Sequence, residues 1–284
     1  TWAHAYQTNV GIQRELGQSL SVSAAYVGTF NRNLPLGRDV NYPVLTPTAT
    51  NAGANILSRR PNPAYGAVLI LGSDQRSAYH ALQVTVAMRP WHRFGFNSAY
   101  TFSKTRTSAE LQNNTTQGLA QNYTNLGAEY GPADTDQRHV FSMSMSWELD
   151  YYQGGSPLLS KILNRWRISP IIKVRSGLPF TVTNGNVDAN LDGNTNDRAA
   201  LIGDPKIAKP TAAQWFNTAA FTQNKVVTGV ATDGNSGRNM LTGPGYQVVD
   251  MAISRDFNLP RKVKLTFRAE GTNVFSQVNL GQPG

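Results

Sequence analysis

The chain has 284 residues, no cysteine and a formal charge of +9, from 26 basic and 17 acidic residues. The lack of cysteine excludes disulfides, thiolate metal sites and a cysteine nucleophile. The basic residues are scattered rather than gathered in a motif, so nucleic acid is not expected as a partner. No run of about 18 apolar residues occurs, so no transmembrane helix is predicted.

Eight segments alternate apolar residues with small or polar ones over about ten positions, a period of two that predicts β-strands. The first segment, 5–15, is the weakest, with Tyr6, Val10 and Ile12 as its apolar row. The seven stronger segments are 19–28, 79–88, 93–104, 139–149, 166–175, 246–257 and 262–271.

The length of these segments favours a membrane barrel over a soluble sandwich. A tilted strand of about ten residues spans a bilayer, whereas sandwich strands run nearer five or six. Aromatic residues at the ends of the apolar rows also suit an interfacial girdle. These are Tyr26, Phe30, Tyr79, Phe102, Trp147, Trp166 and Phe257. A sheet in hydrocarbon must close, because an open edge leaves backbone groups unpaired.

Short and long connections alternate along the chain, as in outer-membrane barrels with short periplasmic turns and long extracellular loops. The short links are 15–19, 89–92 and 256–262, and the long ones are 30–78, 105–137 and 176–245. A fourth link, 151–164, is longer than the other short ones and is predicted to hold a helical turn in LLSKIL. The predicted fold is all-β: about eight long meander strands of an antiparallel transmembrane β-barrel.

Eight stretches, each a strand edge or a turn, match a known family in its own order along nearly the whole chain. They are SVSAAYVGTFNRNLP, SAYHALQVTVAMRP, FNSAYTFSKT, GPADTDQRHVFSMS, WRISPIIKVRSGLPFTV, WFNTAAF, GRNMLTGPGYQVVDMAIS and LTFRAEGTNVFSQVNLGQP. On these stretches the chain resembles the carboxy-terminal barrel region of TonB-dependent outer-membrane receptors of the Oar-like type.

The resemblance implies a barrel of about 22 strands, occluded by an amino-terminal plug that contacts TonB. Residues 1–284 are therefore expected to be part of that barrel domain, without the plug, the N-terminal domains or the last strand. The expected partners are outer-membrane lipid, the protein's own plug and, through the plug, the TonB complex. The expected location is the cell outer membrane.

The stretch DANLDGNTNDR, 188–198, has the spacing of the first half of a calcium loop. Oxygen side chains on alternate residues converge on a hard cation, and a glycine at the sixth position allows the sharp turn. The candidate ligands are Asp188, Asn190, Asp192, Asn194 and Asn196. The twelfth position is Ala199 instead of the bidentate Glu of an EF-hand, and Asp197 is the nearby substitute. Calcium is the one cofactor suggested; a plain Asn- and Asp-rich turn is the equal alternative.

Charged residues on the second face of the last strands are expected to point into the barrel lumen, where charge is tolerated. They are Arg167, Lys173, Arg175, Lys264, Arg268 and Glu270. Pairing with plug carboxylates is favoured over direct ligand binding. The sequence carries no G-x-S-x-G, Walker or G-x-G-x-x-G motif, so no enzyme is predicted.

The predicted function is solute binding or movement across the outer membrane by a TonB-dependent receptor, with energy from the inner membrane. Two alternatives stay open. One is a surface-exposed structural or adhesive barrel without active transport. The other is a soluble β-sandwich binding domain, which would bury Val84, Met143 and Phe267 between two facing sheets.

Overall fold

The computed structural model describes residues 2–108 and 120–283, and one antiparallel sheet dominates it. Its eight long strands follow one another as neighbours in chain order. They are β1 (His4–Leu16), β2 (Leu20–Asp39), β3 (Leu69–Trp91), β4 (Phe94–Thr107), β5 (His139–Leu149), β6 (Trp166–Arg175), β7 (Tyr246–Leu259) and β8 (Val263–Gly271). A ninth strand of two residues, Gly131–Pro132, pairs with the end of β4. The predicted meander is confirmed.

The register places the apolar residues of successive strands on one face. One cross-strand row runs through Val22, Val86, Ser98, Met143, Ile172 and Val249. Facing residues of paired strands share a side of the sheet, so this row continues the apolar face from β2 to β7. Val84, Met143 and Phe267 belong to this one sheet, and Phe267 is 48% exposed. No second sheet packs on them among the described residues, so the sandwich alternative is wrong.

The aromatic residues at the ends of the apolar rows lie where they were predicted, with one exception. Tyr79 pairs with Thr29, and its neighbour two positions on, Ala81, pairs with Val27. Both belong to the opposite, polar face. Successive side chains of a strand point to opposite sides of the sheet, so Tyr79 and Leu82, three positions apart, lie on different sides.

The hairpin of β2 and β3 is longer than predicted. The segment 30–78 was expected to be a loop, but pairing continues from Phe30 opposite Ala78 to Asp39 opposite Leu69, with register shifts around Leu34. Only 40–68 remains as a connection, and it contains helix α1 (Gly53–Ser58). The extension carries polar residues on both faces, so apolar and polar residues do not alternate there. The prediction of the strand bounds depended on that alternation.

The connections at one end of the sheet are short, as predicted. Gly17, at φ 66°, forms the β1–β2 turn, and His92 and Arg93 adopt positive φ between β3 and β4. The 3-10 helix Pro260–Lys262 joins β7 to β8. Helix α2 (Pro157–Leu163) lies between β5 and β6 and confirms the predicted helical turn. Ser156 caps this helix through a hydrogen bond from the Leu159 backbone N–H.

At the other end the long connections fold together. They contain the 3-10 helices Leu126–Glu129 and Thr218–Ala220. They also contain four two-residue strands in two pairs: Pro179–Phe180 with Leu241–Thr242, and Ala200–Leu201 with Phe221–Thr222. Among the described residues, the bulkiest fully buried side chains all lie in the third long connection: Leu191, Asp192, Asp197 and Ser236. The described part of the long segment 105–137 joins this assembly; its residues 109–119 lie outside the description.

The core therefore sits in the loops, while the strands leave their apolar side chains exposed. On β1 and β8 this exposure is nearly complete. Within the described ranges β1 pairs only with β2, and β8 only with β7. None of the described helices is long and apolar enough to cross a membrane.

Candidate functional site

The polar face of the sheet is lined by small and polar residues on the middle strands and by charged residues on β6 to β8. On β5, Ser142 pairs with Lys173 of β6 and Ser144 pairs with Ile171 of β6. Ser146 pairs with Gly95 of β4. The six charged residues predicted to share one face do share it: Arg167, Lys173, Arg175, Lys264, Arg268 and Glu270.

Most of these charges are paired within the sheet. Arg167 Nη2 lies 3.6 Å from Glu148 Oε2, and Lys264 Nζ lies 2.8 Å from Asp256 Oδ2. Arg268 pairs with Glu270 on the same strand. These carboxylates come from the sheet itself, whereas the sequence suggested a separate plug as their source.

Lys173 and Arg175 differ from the others. Arg175 stacks its guanidinium 5.8 Å from the ring centre of Tyr246. Neither residue forms an ion pair within the described part of the chain. They lie in the last three residues of β6, nearest the long connections, so two cations without an ion pair in the described ranges stand together there.

The loop of residues 188–198 folds around its own side-chain oxygens. Asp188 Oδ1 accepts a hydrogen bond from the Asp192 backbone N–H at 3.0 Å, and its Oδ2 accepts one from Gly193 at 2.8 Å. Asn190 Oδ1 lies 3.2 Å from the same Asp192 nitrogen. Asp192 Oδ1 accepts from the Asn194 backbone N–H at 2.7 Å. Leu191 and Gly193 adopt positive φ, 64° and 93°, which closes the turn.

Asp197 closes the loop from its other end. Its Oδ2 accepts hydrogen bonds from the backbone N–H groups of Ala189 at 2.7 Å and Asn190 at 3.2 Å. Burial, with a smaller contribution from the carboxylate of Asp188, raises the pKa of Asp197 to about 7 and that of Asp192 to about 6. The three carboxylates are thus close enough to repel one another.

Hydrogen bonds with the other two long connections hold this loop in place. Arg59 Nη2 donates to the Leu191 carbonyl at 2.6 Å, and Asn190 Nδ2 donates to the Gln121 carbonyl at 2.7 Å. Asn196 Nδ2 donates to the carbonyl of Ala120 at 3.2 Å. The loop is therefore the point where all three long connections meet.

Of the five candidate calcium ligands, Asp188 and Asn190 bring their side-chain oxygens together at the backbone N–H of Asp192, which donates to both. Asn194 contributes its backbone N–H to Asp192, and the Asn196 amide reaches Ala120. Asp197, which the sequence offered only as a substitute, is fully buried at 0% exposure. In the described ranges no group of three or more His, Cys, Asp or Glu side chains is arranged to hold a metal ion by itself.

Sequence reasoning missed Arg255, which interrupts the apolar face near the short turns. It is 6% exposed, and its guanidinium lies 4.6 Å from the ring centre of Phe257 and 5.5 Å from that of Trp166. It also donates to the carbonyl of Ile162, so helix α2 lies over the apolar face at this end. The signal was a cation in an apolar row, two residues before the rim aromatic Phe257.

Comparison with curated proteins finds no match. Among solved structures, the chain is similar in fold to the outer membrane transporter YddB from Escherichia coli, with a TM-score of 0.49 and 10% identity. That similarity covers 98% of this chain and 29% of the transporter, so the chain spans less than a third of its length. The family of the outer membrane beta barrel domain matches residues 1–284. With this match over its full length, the chain belongs to the outer membrane beta barrel family and is located in the outer membrane.

Proposed function

We propose that the chain forms part of the wall of a TonB-dependent receptor of the Oar-like type, which binds or moves a solute across the outer membrane. The observation that carries the proposal is the open sheet. In the described ranges β1 and β8 do not pair with each other, although eight strands are enough to close a small barrel. Both edges must be paired in hydrocarbon, so the proposed barrel has further strands.

A barrel wider than eight strands has an interior that its own side chains cannot fill. Such a lumen either conducts water or is occluded by a plug. The polar face of β3 to β8, with its serines and its ion pairs, suits the wall of such a lumen. Energy coupling through TonB follows from the family resemblance and is part of the proposal.

The charges of Lys173 and Arg175, which form no ion pair in the described ranges, indicate the kind of solute that the barrel would bind. Both lie on the polar face in the last three residues of β6, where the third long connection begins. A positive rim at the mouth of a lumen raises the local concentration of anionic solutes. We therefore expect an anionic solute, or an anionic surface of the plug, at this end of the barrel.

The proposal is tested in the producing organism with the intact protein. A deletion strain and its complemented parent are grown in a defined medium containing a panel of small organic anions and metal chelates, and depletion of each is followed by mass spectrometry. Depletion of at least one solute is expected to slow in the deletion strain. A protonophore should reproduce the effect in the parent, because energy from the inner membrane is withdrawn.

Lys173→Glu in the complementing copy should slow the same depletion several-fold. Lys161→Glu, on helix α2 outside the polar face, is the matched control and should not. Identical depletion in all strains, together with loss of surface attachment in the deletion strain, would overturn transport in favour of the adhesive alternative.

A further inference from the structure

Within the described ranges, two carboxylate oxygens in the loop of 188–198 are buried without a hydrogen-bond partner. They are Oδ2 of Asp192 and Oδ1 of Asp197, on residues that are 1% and 0% exposed. An ionised oxygen cut off from water and from hydrogen-bond donors is costly, so a buried carboxylate is paired with a cation, bound to a metal or protonated. Something absent from the loop's own side chains should therefore complete this cluster.

The nearby arginines do not complete it. Arg59 is buried beside the loop, but its guanidinium donates to the carbonyl oxygens of Leu191, Val44 and Thr50. Arg198 donates to both carboxylate oxygens of Glu129. Among the described residues no side-chain cation forms an ion pair with Asp192 or Asp197.

Other oxygens surround the same place. Asp188 Oδ1 and Asn190 Oδ1 both lie within 3.2 Å of the Asp192 nitrogen. Asp197 Oδ2 reaches back to the nitrogens of Ala189 and Asn190, which brings its carboxylate to the middle of the same turn. The side-chain oxygens of four residues thus surround one short stretch of backbone.

We propose that Asp192 and Asp197, with the side-chain oxygens of Asp188 and Asn190, bind a calcium ion that locks the three long connections together. The three carboxylates of Asp188, Asp192 and Asp197 supply the charge, and the Asn190 amide, backbone and water oxygens complete the shell. Among the described residues only Asp192 and Asp197 bring an oxygen without a hydrogen-bond partner, whereas both Asp188 oxygens also accept backbone hydrogen bonds. The proposal concerns the loops and holds whether or not the barrel transports a solute.

The donor set selects calcium over other metals. All the donors are oxygens, which excludes the softer transition metals that favour imidazole and thiolate. Magnesium demands a near-ideal octahedron and retains several waters, whereas calcium accepts six to eight ligands in irregular geometry. An irregular loop that offers neutral amide oxygens beside carboxylates suits calcium. A dissociation constant of about 0.1–1 mM is expected, as for extracellular calcium modules.

The test uses the intact protein purified in detergent and stripped with a chelator. Calcium is titrated by calorimetry, and in parallel the rate of proteolysis within 184–198 is measured by mass spectrometry. Calcium is expected to bind once and to slow cleavage at least tenfold. Asp192→Asn and Asp197→Asn should each abolish both effects, since the isosteric amide keeps the shape and removes the charge. Asp204→Asn, at an exposed carboxylate in the same long connection, should change neither effect.

The two asparagine variants also separate a metal site from a merely structural polar core. In a structural core, removing a buried charge would protect the loop in the presence of chelator, and added calcium would do nothing in any variant. That outcome, equal protection by magnesium, or full calcium binding by both variants would overturn the proposal.

Discussion

Arg198 Nη1 donates hydrogen bonds to both carboxylate oxygens of Glu129, at 2.9 and 3.1 Å, across 69 residues of sequence. Both side chains are more than nine-tenths buried. The pair joins the second long connection to the third, beside the place where Gln121 accepts a hydrogen bond from the Arg198 backbone N–H at 3.0 Å. The folded state of the loops therefore depends on a long-range ion pair as much as on their local turns.

Arg198→Ala should open the loop assembly locally without unfolding the sheet. Removing one partner of a buried pair leaves the other charge uncompensated, at a cost of about 3–5 kcal/mol. The measurement is hydrogen exchange of the amides of 120–129 and 196–199, which should become roughly two to three orders of magnitude faster. Exchange in the strands should be unchanged.

The matched control for this prediction is Arg89→Ala. Arg89 pairs with Glu15 at 3.4 Å, but both side chains are largely exposed, so the expected change is about 0–1 kcal/mol. An effect of Arg198→Ala no larger than that of the control would show that the buried pair does not stabilise the loops.

Met143→Arg should impair insertion into the membrane. Met143 lies on the apolar face midway along β5, four residues from both Trp147 and His139, which places it near the bilayer midplane. Arginine on the lipid side costs about 2–4 kcal/mol at that depth and about 0–1 kcal/mol near an interface. The measurement is reversible folding of the intact protein into lipid vesicles in urea.

Two neighbouring substitutions test the depth and the face separately. Ser144→Arg adds the same side chain on the polar face and should cost little. Leu265→Arg changes the apolar face, but Leu265 is only two residues from the turn at the start of β8. Its cost in insertion free energy should therefore be close to the value expected near an interface. Equal losses for Met143→Arg and Ser144→Arg would contradict the assignment of the faces.

The sequence predicted the strands well where one face of the sheet lies in hydrocarbon and the other in water. The alternation of Phe141, Met143 and Met145 with serines exists because one side faces hydrocarbon and the other faces water. The β2–β3 extension lies where both sides are polar, as at Asn31 and Arg32, so the alternation that marks a membrane strand is lost although the pairing continues.

The site was predictable only in its local part. The spacing of Asp188, Asn190 and Asp192 shows in the sequence because all three belong to one turn. The contacts that bury the turn come from Arg59 and Gln121, each more than 65 residues away. No period or motif encodes such a contact, because loop packing follows from the fold of the whole assembly.

Arg255→Lys should loosen helix α2 from the sheet. The guanidinium lies over the faces of Phe257 and Trp166 and donates to the Ile162 carbonyl, which a compact ammonium cannot do at the same time. A loss of about 0.5–2 kcal/mol is expected. Faster hydrogen exchange in 157–163 measures it, and exchange unchanged from the parent would show that the stacking does not hold the helix.

Helix α2 should rest in the membrane interface. Leu159 and Ile162 are 44% and 50% exposed, yet the helix lies over the apolar face through Arg255 and through the Trp166 indole, which donates to Ile162. Amphipathic helices in this position bury their apolar side at the boundary of headgroups and acyl chains. These 284 residues contain no cysteine, so Leu159→Cys can be labelled with an environment-sensitive fluorophore after any cysteine elsewhere in the protein has been replaced. Spin-labelled lipid should quench that label, and should quench a label at Lys161→Cys, on the opposite side of the helix, far less. Equal quenching at both positions would place the helix away from the membrane.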